Sequence, residues 1–364
     1  MEIVVTTIQQ PTPAMHMLAK GLSEIGGTLW VVGDRKGPES LDLPQVRFFH
    51  IDDQKSMGFS LAEILPEKHY TRKNLGYLAA IREGADCIVE TDDDNLPRPE
   101  FFADRSPTVT ARSVQNTSGW CNAYRAFTEK HIWPRGLPLE AIHSSEPIIK
   151  AIPPRILGNQ PAEVAVPFAG QVNDSACKEV ETMMVESLIQ QGLADQNPDV
   201  DAAYRLILPL PLDFDQAPPI YLPRSTWCPF NSQNTTFFKE AFPLLYLPSF
   251  CSFRMTDIWR SFVAQRCLWE MDSTLTFHPA TVWQERNEHN LLRDFEDEVP
   301  GYLNNEKIRL CLESLDLQKG RDAGIVCSNL MDCYSALVEA GIVGTGELPL
   351  VQAWIDDITP LTHS

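Results

Sequence analysis

Apolar positions in the first third of the chain fall into short uninterrupted runs separated by stretches with helical spacing. Ile3–Thr7, Leu29–Val32 and Val46–Ile51 read as buried strands. Between the first two, Pro13 opens a helix with Met17, Leu18, Leu22 and Ile25 on one face, stopped by Gly26-Gly27. Thr71–Glu83 reads as a helix capped by Thr71, with Leu75, Leu78, Ala79 and Arg82 at helical intervals, and Cys87-Ile88-Val89 as the strand after it. Strands alternating with helices predict a parallel sheet in an open α/β layer, where ligands sit beyond the carboxyl ends of strands.

Later segments are less regular. Residues 101–169 are proline-rich and show no readable topology. Asp199–Leu208 reads as a strand and Pro209–Pro223 as a linker. Asp257–Met271 is a helix on the spacing of Trp259, Phe262, Val263 and Cys267, with Asp257 as its N-cap. After Pro300, Ile308–Leu315 and Leu330–Ile342 predict a helical tail.

Composition narrows the classes. The chain has 364 residues, 43% hydrophobic and 22% charged, with a net charge of −19. That balance argues against a nucleic-acid backbone or an anionic membrane as main partner. The nine cysteines form no Cys-x-x-Cys and are odd in number, which predicts reduced thiols rather than disulfides or a zinc site. No apolar run is long enough to span a bilayer, and Met1-Glu2-Ile3-Val4-Val5 carries neither a basic nor an apolar leader region, so a cytoplasmic location is expected unless the chain is a fragment of a larger anchored protein.

The most informative chemistry is Thr91-Asp92-Asp93-Asp94-Asn95-Leu96-Pro97, at the end of an apolar strand. Three adjacent carboxylates repel one another unless a cation compensates, and a hard divalent ion prefers oxygen ligands. A solvated acidic turn is the plainer reading. Arg72 and Lys73 fall in the first turn of a predicted helix, where they oppose the helix dipole unless an anion such as a diphosphate lies nearby. Asp34 follows the second strand, in ordinary turn chemistry or against a base or ribose. Asp257, near a helix N-terminus, stays ionised and is the candidate general base for an acceptor hydroxyl. His278 and His289 are candidate late metal or phosphate contacts. The loop Trp227–Asn234 sets amides beside aromatics, which suits sugar hydroxyls and equally a buried hydrogen-bonded turn.

Six ordered stretches carry a family resemblance: Lys73–Tyr77 leading into Glu90–Asn95, Pro198–Leu206, Cys228–Thr235, Phe253–Arg260, Ala264–Glu270, and Arg286–Phe295. Together they resemble the STELLO glycosyltransferase-like proteins. The acidic triplet, PDVDAAYRL and DIW also resemble the reversibly glycosylated polypeptides, which are UDP-arabinopyranose mutases. Both resemblances imply a GT-A fold, a Rossmann-like open mixed sheet flanked by helices. It would occupy residues 1–298, with a helical C-terminal appendage over 299–364. They imply a UDP-sugar donor, a glycan or other hydroxyl acceptor, and Mn²⁺ or Mg²⁺. The candidate donor site, read from the residues, comprises Thr7, Asp34, Arg35, Arg72, Lys73, Asn74, Asp92 and Asp93. The implied metal site is Asp92 and Asp94, with His289 competing with His278 to complete the shell, and the implied catalytic residue is Asp257, weakly favouring inversion. The expected function is metal-dependent sugar transfer. A UDP-sugar mutase and a non-catalytic scaffold of the same fold are the alternatives.

Overall fold

The computed structural model describes residues 1–115, 119–149, 181–285 and 290–362. Eleven strands form one mixed sheet: β1 (Glu2–Thr7), β2 (Thr28–Gly33), β3 (Val46–Phe49), β4 (Cys87–Thr91), β5 (Asn95–Pro97), β6 (Thr108–Ser113), β7 (Thr182–Glu186), β8 (Ile189–Asp195), β9 (Ile220–Leu222), β10 (Asn234–Phe238) and β11 (Leu275–Gln284). The helices are α1 (Pro13–Ile25), α2 (Ser60–Ile64), α3 (Lys73–Arg82), α4 (Ala202–Ile207), α5 (Thr256–Glu270), α6 (Leu291–Glu313), α7 (Ala323–Glu339) and α8 (Glu347–Thr362). The strand order is β3-β2-β1-β4-β10-β8-β11-β9-β6-β7, with β5 paired to β11.

The first four strands of that order are parallel, as the alternation of strands and helices predicts. β10 then pairs antiparallel with both β4 and β8, and the sheet becomes mixed. The chain runs outward from β1 to β2 and β3 on one side and returns to β4 on the other. This reversal leaves a crevice at the carboxyl ends of β1 and β4, the place where open α/β sheets bind ligands. Helix α1 covers one face, and α3, α5, α7 and α8 cover the other. Gly76 lets α3 approach β1 and β2, since a Cβ there would lie 2.7 Å from a Val4 methyl.

Several local expectations are corrected. Thr12 caps α1, accepting from the Met15 amide, but the buried stripe is Ala14, Met15, Leu18, Ala19 and Leu22. Met17 and Ile25 are exposed. Met17 is rotated about 100° from Leu18 and so points off the sheet. Thr71 lies inside a single 3₁₀ turn, Tyr70–Arg72, and α3 starts after it. Asp199–Leu208 is not a strand, because the Asp201 carboxylate takes the Tyr204 amide at 2.7 Å and starts α4. The Pro209–Pro223 linker carries β9. Asp257 sits within the first turn of α5, which begins at Thr256, and is not its cap.

α5 is buried on every side despite its charges, so each polar group needs a partner. Arg260 meets both oxygens of Glu90 on β4 at 2.9 and 2.5 Å, and the Tyr77 hydroxyl donates to the same carboxylate. Gln265 takes the Cys228 amide, and Arg266 pairs with Glu270. The tail is three helices, and α6 runs without a break through residues 298 and 299. Their packing is intimate: the Trp354 indole donates to the Pro243 carbonyl, and Asp357 accepts from the Ser60 and Leu61 amides at the start of α2.

Arg260→Met should cost about 3–5 kcal/mol in urea unfolding, because it leaves Glu90 buried and uncompensated. Adding Glu90→Leu should restore most of that loss. A single variant as stable as the parent would show that the pair is not needed.

Candidate active site

The acidic triplet occupies the turn between β4 and β5, at the crevice. Its neighbouring side chains face different spaces. Asp93 lines a pocket of ≈ 340 Å³ at the ends of β1 and β2. Asp92 lines a smaller polar cavity of ≈ 100 Å³. Asp93 is anchored across the crevice: the Thr7 hydroxyl donates to its carboxylate at 2.6 Å, and the Thr12 hydroxyl donates to its carbonyl. Burial pushes its carboxyl up, and the Thr7 bond opposes that. Asp94 accepts from the Gln284 amide at 3.0 and 3.1 Å.

Asp92 keeps 41% of its side chain open to the cavity, yet sits deep among protein atoms. That recess pushes its carboxyl up to about 7, with Lys73 opposing and Asp94, Asp257 and Asp93 reinforcing. Lys73 lies beneath, its ammonium donating to the Thr91 carbonyl at 2.8 Å and standing 3.6 Å from Asp92. One buried cation thus faces a surplus of carboxylates.

Opposite Asp92, Arg135 forks between two acids. It meets Asp199 twice at 2.8 Å, and Asp257 at 3.0 and 2.9 Å. The Ser232 amide adds a bond to Asp257 at 3.2 Å. Burial alone would favour neutral Asp257, but the charge and hydrogen bonds of Arg135 outweigh it and hold the carboxyl down at about 2. Asn231, Gln233, Arg205, Arg254 and Gln284 complete the cavity wall.

The larger pocket has an aromatic side. His69 stacks on Tyr70 with ring centroids 6.0 Å apart, and Phe253 stands edge-on to Tyr70 at 5.1 Å. Asp34 lines the same pocket, its carboxylate accepting from the His69 amide at 3.0 Å. Tyr70 feels the charge of Asp257 in the smaller cavity. It lines the larger one, and burial and then the negative Asp257 keep its phenol protonated.

The sequence-derived site residues therefore divide. Thr7, Asp34, Arg72 and Asp93 line the larger pocket, and Asp92 and Asp257 line the smaller. Arg72 is spent mostly on the protein, donating to Gln54 and to the Leu65 carbonyl. Arg35 points outward to Glu67 and Asp52. Asn74 is buried against the backbone of Leu247, which it holds from both sides. His289 lies outside the described residues. His278 is six residues back along β11 from Gln284, bonded to Thr276 at 3.2 Å, and has no place beside the triplet. Arg135 was missed altogether, since it stands in a proline-rich stretch with no periodicity. Tyr70 and Phe253 were missed as pocket walls, because each lies in a single turn whose direction only the packing sets.

Among the described residues, no group of three or more His, Cys, Asp or Glu side chains is arranged to hold a metal ion. Asp92 and Asp94 nonetheless suit a hard divalent cation in kind. They are oxygen donors in a site with excess negative charge. The described cysteines are all free thiols. No described helix is long and apolar enough to cross a membrane.

An open mixed sheet flanked by helices, with its cavities at the carboxyl ends of β1 and β4, is a GT-A-like glycosyltransferase fold with C-terminal helices. A family model described as STELLO glycosyltransferases matches residues 254–364. Two Arabidopsis thaliana proteins, "Probable glycosyltransferase STELLO2" and "Probable glycosyltransferase STELLO1", are 26% and 25% identical, each over 98% of this chain and 44% of their own length. The chain is thus STELLO-like along nearly its whole extent, and it spans less than half the length of these relatives.

Burial, and then the cation Arg105, hold His278 down to about 4, against about 6.5 in an unfolded chain. The unfolded state therefore binds the extra proton first, and stability should fall as pH drops from about 6.5 to 4, by up to about 3 kcal/mol. His278→Gln should flatten that part of the stability–pH curve in urea titrations. An unchanged slope would show that His278 does not carry it.

Proposed function

We propose that this chain is a metal-dependent glycosyltransferase that takes a sugar from a nucleotide sugar, most simply a UDP-sugar, and passes it to a hydroxyl acceptor. The observation that supports this reading is the pair of cavities meeting at the triplet, with Asp93 in one and Asp92 in the other. The nucleoside would occupy the larger pocket, with Asp34 and the His69–Tyr70–Phe253 wall around the base and ribose. The sugar would occupy the polar cavity, where Asn231, Gln233 and Asp199 meet its hydroxyls.

A bound Mn²⁺ or Mg²⁺ would be held by Asp92 and Asp94 and would supply Lewis-acid neutralisation of the departing diphosphate. Lys73 adds a fixed positive charge below that point. Asp257 is ionised but too weak a base to deprotonate a free alcohol early. It suits a late transfer, after the new glycosidic bond has begun to form and the acceptor proton has become strongly acidic. Arg135 keeps it charged and aimed until then, and base-assisted attack of this kind favours inversion.

Calorimetry with UDP and Mn²⁺ tests the donor site. Asp94→Asn should weaken UDP affinity more than about tenfold, and unchanged affinity would count against the metal assignment. Asp257→Asn should leave UDP affinity intact while lowering transfer by about 10² to 10⁴; full transfer would remove Asp257 from the mechanism. Chromatography after incubation with a UDP-pentose alone separates transfer from mutase chemistry, and a wild-type chain that binds neither nucleotide nor metal would be a scaffold.

A further inference from the structure

The turn before α8 and the first residue of that helix hold the wall of the larger pocket in place. Glu347 opens α8 with its side chain fully buried. No Lys or Arg among the described residues pairs with it. Its carboxylate instead accepts from the Ser249 amide at 2.9 Å, the Phe250 amide at 2.6 Å and the Tyr246 hydroxyl. The grip is reciprocal, since the Gly344 amide donates to the Phe250 carbonyl at 2.8 Å. Gly346 has no side chain where the Phe250 ring lies, and a Cβ there would stand 2.5 Å from the ring. A buried carboxylate without a cation is costly unless its hydrogen bonds are supplied, so a carboxylate spent on three neutral donors specifies a shape.

That shape is passed to the site. In the gripped segment, Leu247 exchanges two hydrogen bonds with Asn74, at 3.0 and 2.9 Å, and Ser249 meets the Thr71 hydroxyl at 2.9 Å. These two partners flank Arg72 and Lys73 at the start of α3. The same segment continues into Phe253, whose ring abuts His69 and Tyr70. One carboxylate from the C-terminal helices thus fixes both the aromatic wall and the turn that carries Lys73 toward Asp92.

We infer that Glu347 is a positioning residue for nucleotide binding: the C-terminal helices set donor affinity through the loop 246–253 without touching the donor. This rests on the larger pocket being the nucleotide site. The probe is UDP with Mn²⁺, measured by calorimetry at 15 °C, well below unfolding, alongside melting temperatures. Glu347→Gln and Glu347→Ala should weaken UDP binding by at least about tenfold, with Glu347→Asp recovering part of it. Asp357→Asn is the control. It lies on the same helix but caps α2 rather than the loop, and it should lower the melting temperature while leaving UDP affinity unchanged. If the Glu347 variants bind UDP as the parent does, or if Asp357→Asn weakens binding equally, the inference is overturned. Wild-type protein that does not bind UDP overturns the nucleotide reading itself, and with it this inference.

Discussion

Two guanidinium–carboxylate clusters on α5 organise this molecule. Arg260 reaches Glu90 on β4, the strand that ends in the acidic triplet, and Arg135 reaches Asp257 one turn earlier on the same helix. Buried ion pairs are poor sources of net stability, because desolvation offsets most of their attraction. They do impose geometry, since neither partner tolerates being left alone. Here the Arg260–Glu90 pair fixes the helix that carries Asp257 against the strand that leads into Asp92 and Asp94, and Arg135 fixes Asp257 itself. The separation of the two sides of the smaller cavity is then set by pairs that cannot slide.

The same logic explains the contrast between the two carboxylates of that cavity. Asp257 is matched by a dedicated cation and its carboxyl is held at about 2. Asp92 shares Lys73 with its neighbours in a deep recess, and its carboxyl is raised to about 7. Two chemically identical side chains thus differ by several pH units in their readiness to hold a proton. One is held as an anion by its cation, while burial disfavours the charge of the other.

Much of this was legible from the amino acids. The parallel strands, the triplet at a strand end and the helix carrying Asp257 follow from apolar runs and short-range spacing. What escaped was tertiary. α5 reads as one-sided, because Arg260, Arg266 and Glu270 look like a solvent face until their buried partners are known. Asp199–Leu208 shows strand-like apolar residues, but one cap from Asp201 decides for a helix. Asn74 and Arg35 carry the right chemistry beside the right motif and are turned elsewhere by Leu247 and by Glu67. Arg135 has no local signal at all, and only a folded chain brings it within reach of Asp199 and Asp257.

Asp92 and Asp93 are consecutive, yet they open onto separate compartments, the one polar and small, the other larger and walled by rings. A single peptide bond therefore separates the carboxylates of the two halves of the crevice, and a residue inserted or deleted there would change which carboxylate faces which compartment. The two linings are pinned by different groups, the smaller by the Arg135 and Arg260 pairs and the larger by Glu347, so each compartment keeps its own set of constraints.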